Sequence, residues 1–286
     1  MSIRRRHVVE RLMQALMLCS LGLVLASVAA IIGVIVVRGA PALSWRMLIQ
    51  PPQSGYYAGR GSGSGIANAL VGSVYLAFGG TLLASLVSLP VACALQKQYL
   101  PGGVRRAITL MLDVLWGVPS VVTGAFCFIV MAHYGLRASL AGGICTIALV
   151  IMPVMVRATA EAMSASPTAM HEAACALGAT RFEVTVRIVL RQTVPGLVTA
   201  VLLAFGRGIG DAASLLFTSG YSDFIPRSLS EPAASLPLAI FFQLNSPFPE
   251  VQRGAYAAAL VLLLIVVVVT AGARACAARL GIHVVR

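Results

Sequence analysis

Apolar and polar positions alternate along this chain on the scale of whole helices. Apolar runs cover about 12–37, 68–95, 107–131, 139–156, 195–219 and 255–273, with polar segments between them rich in arginine, glycine or proline. Each run is close to the ~20 residues that an α-helix needs to cross a hydrocarbon core. The pattern predicts an all-α, polytopic membrane protein with six transmembrane helices. The first run is too long for the apolar region of a cleaved leader and lacks a clear small-residue stop, and bulky Leu18 before Cys19 argues against a lipid-attachment site. The third run carries Gly117-Val118-Pro119-Ser120, a kink-prone sequence. Between runs five and six, Pro226, Pro232, Pro237, Pro247 and Pro249 oppose a long regular helix.

Composition sharpens this picture. With 59 % hydrophobic and 10 % charged residues among 286, only a bilayer takes up so much apolar surface. The net charge of +12 does not indicate nucleic acid, because the basic residues are scattered between apolar runs and form no basic domain. They follow the positive-inside rule. Arg4, Arg5, Arg6, Arg11, Lys97, Arg105, Arg106, Arg157, Arg181, Arg187, Arg191, Arg274, Arg279 and Arg286 fall on one side. Arg38, Arg46, Arg60, Arg137, Arg227 and Arg253 fall on the other, and Arg207 lies within the membrane. Both termini are therefore expected in the cytoplasm. Cys19, Cys93, Cys127, Cys145, Cys175 and Cys276 form no CxxC pair, which predicts neither a disulfide framework nor a metal site.

The longest polar interruption with helical periodicity is Ser166–Leu190. Ser166 is placed to cap a helix with Pro167 at its first position, running through His171, Glu172, Ala173, Ala174 and Leu177 to a stop at Gly178. Thr180 and Glu183 have the spacing of a capping box opening a second short helix. Two helices meeting at a glycine between apolar runs form an elbow on a membrane surface.

Charge inside the apolar runs marks candidate chemistry. Arg207 is expected about midway through the fifth run, where an arginine costs roughly 2.5–3.5 kcal/mol to insert. Asp211, four residues on, would share its helix face, and Gly206, Gly208 and Gly210 would admit a close neighbour. A planar guanidinium matches the oxygens of a tetrahedral oxyanion. Arg157 and Glu161 are spaced to pair on one face, and Arg157 is a candidate anion contact at the cytoplasmic mouth. Asp113 is expected to find Arg105, Arg106 or a helix terminus, or to serve transport. His133, beside Arg137, reads as solvated surface. The run Gly59–Gly65, GRGSGSG, lacks the strand and GKS/T context of a phosphate loop and reads as a flexible external linker.

These residues carry a resemblance. Glu172-Ala173-Ala174, Gly178, Ile188 and Leu190 resemble the EAA loop of ABC importer permeases, with Arg191 where that pattern ends in proline. The stretch DVLWGVPSVVTG, the stretch Arg207, Gly210, Asp211, Ala213, Leu215, Leu216, Phe217, Thr218, and Ser235-Leu236-Pro237-Leu238-Ala239-Ile240 are similar to segments of the phosphate-permease group, closer to its PstA type than to its PstC type. Asp211 stands for the family glutamate and Ser214 for the usual proline. The resemblance implies a type I permease core over 65–273 with a coupling loop at 157–194. Around it lie a cytoplasmic tail at 1–11, a first helix and external loop at 12–64, and a cytoplasmic tail at 274–286.

It further implies that Glu172, Ala173, Ala174 and Gly178 engage an ATP-binding subunit dimer, which hydrolyses the ATP. A PstC-type second permease subunit and an extracytoplasmic phosphate-binding protein complete the assembly in the cytoplasmic (inner) membrane of a prokaryote. Arg207, Gly210, Asp211 and Arg157 would line the phosphate path. The chain itself would hold no cofactor and catalyse nothing. Molybdate, tungstate or sulfate as cargo, a phosphate-sensing scaffold without transport, and a self-sufficient channel are the other readings of the same parts.

Overall fold

The computed structural model describes residues 3–53 and 65–280, so most of the glycine-rich linker at 59–65 lies outside the described residues. The regular elements of the described residues are all helices: α1 Ile3–Gly39, α2 Trp45–Ile49, α3 Ala67–Ala94, α4 Gly102–Gly117, α5 Ser120–His133, α6 Leu140–Ser164, α7 Thr168–Ala176, α8 Arg181–Glu183, α9 Leu190–Ile209, α10 Leu215–Thr218, α11 Leu236–Leu244 and α12 Pro249–Leu280. Five long helices are apolar enough to cross a membrane, and α4 with α5 makes a sixth candidate. That pair is bent by 98°, so the expected straight third span is broken. Val118 and Pro119 are both extended, with ψ of 128° and 136°. Proline disfavours helical backbone at the residue before it, which ends α4 there.

The core is built on α3, α6 and α9. Leu76 and Ala84 of α3 interlock with Ile147, Ile151 and Met155 of α6 and with Ala204 of α9. A second cluster joins Met47 and Ala69 to Leu236, Ala239, Ala257 and Val261, seating α11 between α3 and α12. A third, Ala92, Met163, Ala174, Val184 and Val189, fastens the elbow to the ends of α3 and α6. Helix α1 stands apart, its apolar stretch unburied. It meets the bundle at its C-terminal end, where Arg38 Nη1 donates to the Tyr256 hydroxyl over 3.0 Å.

At the end opposite the elbow, 218–235 folds back over the bundle. Its carbonyls take the orphan N–H groups that open α6: Ser139 to Thr218 (2.9 Å), Leu140 to Glu231 (2.7 Å) and Ala141 to Leu229 (2.9 Å). Ser73 Oγ accepts the Leu236 N–H over 2.7 Å, and Ser235 caps α11. The prolines of this segment do prevent a long helix, although α11 is more deeply buried than a loop element would be.

Helix α4 is amphipathic in an unusual sense. Arg105, Thr109, Leu112 and Asp113 point toward the bundle, while Val104, Leu110, Met111, Val114, Leu115 and Trp116 are exposed. The polar stripe is turned inward, and the apolar stripe is left for lipid or another apolar surface.

Candidate coupling elbow and charged positions

The elbow forms where the polar interruption predicted it. Its first helix starts one residue later than expected. Pro167, at φ −60° and ψ 128°, lies outside α7, and no side-chain cap is made there. At the other end Gly178 adopts φ +85°. Its N–H reaches the Cys175 carbonyl (3.0 Å) and the Ala179 N–H reaches Ala174 (3.1 Å), the paired bonds of a Schellman stop. The capping box is present as predicted. Thr180 Oγ1 accepts the Glu183 N–H (3.3 Å), and Glu183 Oε2 accepts the Thr180 N–H (3.0 Å).

The second helix of the elbow is not a separate short piece. α8, a π-helical stretch at Val184–Val189 and α9 run without a break from Arg181 to Ile209. The 29 residues of this helix make a rod of about 43 Å. Pro195 sits inside it, so the fifth span begins earlier and ends sooner than the apolar run suggested.

Ala174 is buried, 9 % exposed, against Ala92, Met163, Val184 and Val189, whereas Glu172, Ala173 and Gly178 are exposed and Leu177 is 90 % exposed. The α3–α4 loop is strapped to this elbow. Gln98 Nε2 donates to Thr185 Oγ1 (2.9 Å), Arg181 Nη1 donates to the Gln98 carbonyl (2.9 Å), and the Tyr99 hydroxyl lies 3.0 Å from the Arg181 carbonyl and 2.7 Å from Thr185 Oγ1. The sequence offered no signal for this strap beyond two polar residues in a short loop, because its partners lie over 80 positions away.

Arg207 occupies the last turn of α9, not the middle of a span. Gly210 closes the helix, and Asp211 Oδ1 accepts the Ser214 N–H (3.0 Å), drawing the chain into a turn before α10. Asp211 is thus engaged away from Arg207, and the expected i,i+4 pair is not formed. Among the described residues Arg207 has no carboxylate in ion-pair range and its side chain is exposed. A cation at a helix C-terminus is favoured by about 0.3–1 kcal/mol, which replaces part of what the absent carboxylate would have supplied. Of the three glycines here, Gly208 alone packs closely, against Ile147 and Ile151 of α6. Gly206 meets open space, and Gly210 touches only its own turn.

Two segments far apart in sequence meet just after the end of α9. A Cβ on Gly124 of α5 would collide with the backbone of Ser214, so the α9–α10 turn lies directly on α5. Phe128 and Phe217 pack with ring centroids 6.2 Å apart.

Arg157 does not pair with Glu161. Its Nη2 contacts Asp113 Oδ1, joining α6 to the inward stripe of α4. This also settles the partner of Asp113: Arg157, rather than Arg105 or Arg106. The periodicity of Arg105, Thr109 and Asp113 is the signal that places Asp113 on the inward face. His133 is exposed at the end of α5, with its ring edge-on to Tyr134. All six cysteines are free thiols, and among the described residues no three metal-binding side chains lie together.

Residues 86–282 match the family of binding-protein-dependent transport system inner membrane components. A phosphate transport system permease protein PstA 2 of Mycobacterium bovis is 31 % identical over 260 residues, which is 90 % of this chain and 84 % of that protein. A PstA phosphate permease of Yersinia pestis is 32 % identical over 70 % of this chain and 68 % of its own length. One from Haemophilus influenzae is 30 % identical, covering 79 % of this chain and 78 % of its own. Among solved structures, an inward-facing MetNI methionine ABC transporter superposes with a TM-score of 0.62 at 16 % identity, over 75 % of this chain and 95 % of that one. The likeness is one of fold, the helical membrane-spanning core of an ABC transporter. With an exposed elbow seated on a multi-pass apolar bundle and a family match that spans most of the chain, this protein belongs to the binding-protein-dependent transport system inner membrane components.

Proposed function

We propose that this chain is the PstA-type permease subunit of an ATP-driven importer that carries inorganic phosphate across the cytoplasmic membrane of a prokaryote. The observation that carries the reading is the elbow. Helix α7 packs Ala174 on the bundle, while Glu172 and Ala173 of that helix and Leu177 and Gly178 just after it are exposed. The residues that match the EAA pattern are thus available to a partner, which supports a docking role for the elbow. The three bacterial relatives described above, all phosphate transport system permeases, support the cargo.

The partners are a dimeric ATP-binding subunit gripping α7, a PstC-type permease against the exposed apolar faces, and an extracytoplasmic phosphate-binding protein at the opposite end. Both termini and the elbow lie in the cytoplasm, as the arginine distribution supports. No nucleotide, metal or nucleic acid is bound by this chain, and it catalyses nothing itself; ATP belongs to the partner. Closure of the ATPase moves α7, and the rod Arg181–Ile209 delivers that movement to Arg207 as a rigid body. Arg207 contacts the passing phosphate with an uncommitted guanidinium, Gly210 and Asp211 shape the turn beside it, and Arg157 receives the anion on the cytoplasmic side.

The test is uptake of radiolabelled phosphate in a strain lacking its own phosphate importers, with this chain supplied alongside its neighbouring subunits. Uptake that requires ATPase and binding protein and resists excess sulfate, molybdate or tungstate is expected. Competition by one of those anions would reassign the cargo, and uptake without the ATPase would make the chain a channel.

A further inference from the structure

Between the elbow-side end of α3, the inward stripe of α4 and α6 lies a cleft of about 370 Å³, to which the transport roles above contribute only Arg157. Lys97, Arg105 and Arg157 line it, with Glu161, Thr109 and Ser164. Asp113 borders the adjoining cleft and holds Arg157 through one terminal nitrogen. Since Asp113 is committed to Arg157, Lys97 and Arg105 face Glu161 as the one remaining acid of the lining. The lining is net positive.

One donor in it is unspent. The Nε of Arg157 is buried and, among the described residues, has no hydrogen-bond acceptor. A guanidinium presents its donors in a fork that suits two oxygens of one tetrahedral anion, and a single carboxylate at Nη2 leaves that fork half used. The side chains of Arg157 and Asp113 are 32 % and 42 % exposed, so an anion from solvent can reach the pair. The inward turn of the α4 stripe has a reason in this arrangement: it brings Arg105 and Thr109 to the wall facing Arg157.

We propose that the cleft between α3, α4 and α6 binds a phosphoryl oxyanion, held by Lys97, Arg105 and Arg157, and that Asp113 is its built-in competitor for the Arg157 guanidinium. The chemistry stands on these side chains alone; the identification of the occupant as cargo released inward rests on the phosphate-permease reading. The same chemistry would hold the phosphate of a lipid headgroup, and a test must separate the two sources.

The full chain in maltoside micelles, which contain no phosphorus, is dialysed against ³²P-labelled phosphate. Saturable binding is expected, with Lys97→Gln and Arg105→Gln each weakening it about tenfold, the loss of one charge-assisted contact. Asp113→Asn should tighten it severalfold, the opposite of what a merely structural ion pair would do. Circular dichroism monitors folding, and Arg105→Lys and Lys97→Arg, which keep the charge, should retain most of the binding. Added phosphatidylglycerol that displaces the label, and that native mass spectrometry finds retained on the wild type but lost from Arg105→Gln, makes a lipid headgroup the occupant. Label that withstands the lipid makes it free phosphate. Binding of neither, or an Asp113→Asn chain that binds more weakly than wild type, overturns the proposal. Arg46→Gln, exposed in α2 and outside every site described, should bind as wild type does. Wild-type binding without any phosphate uptake by the assembled importer would therefore count against the permease reading alone, and uptake without binding against this site alone.

Discussion

Arg207 and Gly178 place the greatest demands on their surroundings. Arg207 ends its helix with no acid in range among the described residues, stabilised by the backbone dipoles of α9 and exposed. Arg207→Gln keeps a polar side chain but removes the charge and most of the donors, and should lower phosphate uptake about ten- to a hundredfold, the worth of one charge-assisted contact. Arg207→Lys should recover part of that uptake, while membrane insertion and ATPase association stay unchanged. Gly178 holds φ +85°, a conformation that costs an L-residue roughly 1–2 kcal/mol and a β-branched one more. Gly178→Val should leave the helical bundle intact, because a side chain there would meet open space. It should nonetheless loosen the elbow, seen as weaker co-purification of the ATP-binding subunit by about tenfold or more, as its strain exceeds 1.4 kcal/mol.

At the scale of elements, the long rod and the strap beside it connect the elbow to the bundle by two routes. The rod reaches Arg207 through α9. The strap of Gln98 and Tyr99 on Arg181 and Thr185 ties the same elbow to α4, and through Asp113 and Arg157 to α6. Thr185 is buried and its hydroxyl is shared among Gln98, Tyr99 and the Arg181 carbonyl, inside the π-helical stretch where the backbone is wound more loosely. Tyr99→Phe should cost about 1–2 kcal/mol, from the loss of its hydroxyl bonds and the partner left short of one. A lower Tm of the purified complex would register that cost. In reconstituted vesicles the same variant should consume more ATP per phosphate imported, whereas an unchanged ratio with a lowered Tm would make the strap purely structural.

For the whole molecule, the question is which face meets which compartment. The distribution of arginine predicts a cytoplasmic elbow, and Cys175, exposed in α7, can test that directly. With Cys175 as the sole cysteine, a membrane-impermeant maleimide should label inverted membrane vesicles and leave intact spheroplasts unlabelled. Addition of the ATP-binding subunit should then protect the thiol. Labelling of spheroplasts would reverse the orientation of the chain and separate the elbow from ATP.

The number and approximate extent of the apolar helices, the elbow with its glycine stop and capping box, and the family itself were legible in the sequence, because they depend on local spacing. Capping, Schellman stops and hydropathy act within a few residues, so a one-dimensional pattern contains them. The bend between α4 and α5 was half legible, since Gly117–Ser120 announced a kink but not its 98°. What only the tertiary structure decided was pairing: Asp113 with Arg157 across helices, Asp211 with its own turn instead of Arg207, Gln98 and Tyr99 with the elbow. A charged side chain finds the partner that packing brings within reach, and sequence proximity ranks candidates without knowing which helix faces will meet. The end of α9 at Ile209 belongs to the same class. Hydropathy continues to 219, but the turn resting on Gly124 takes the chain out of the helix, and a collision between backbones cannot be read from side-chain polarity.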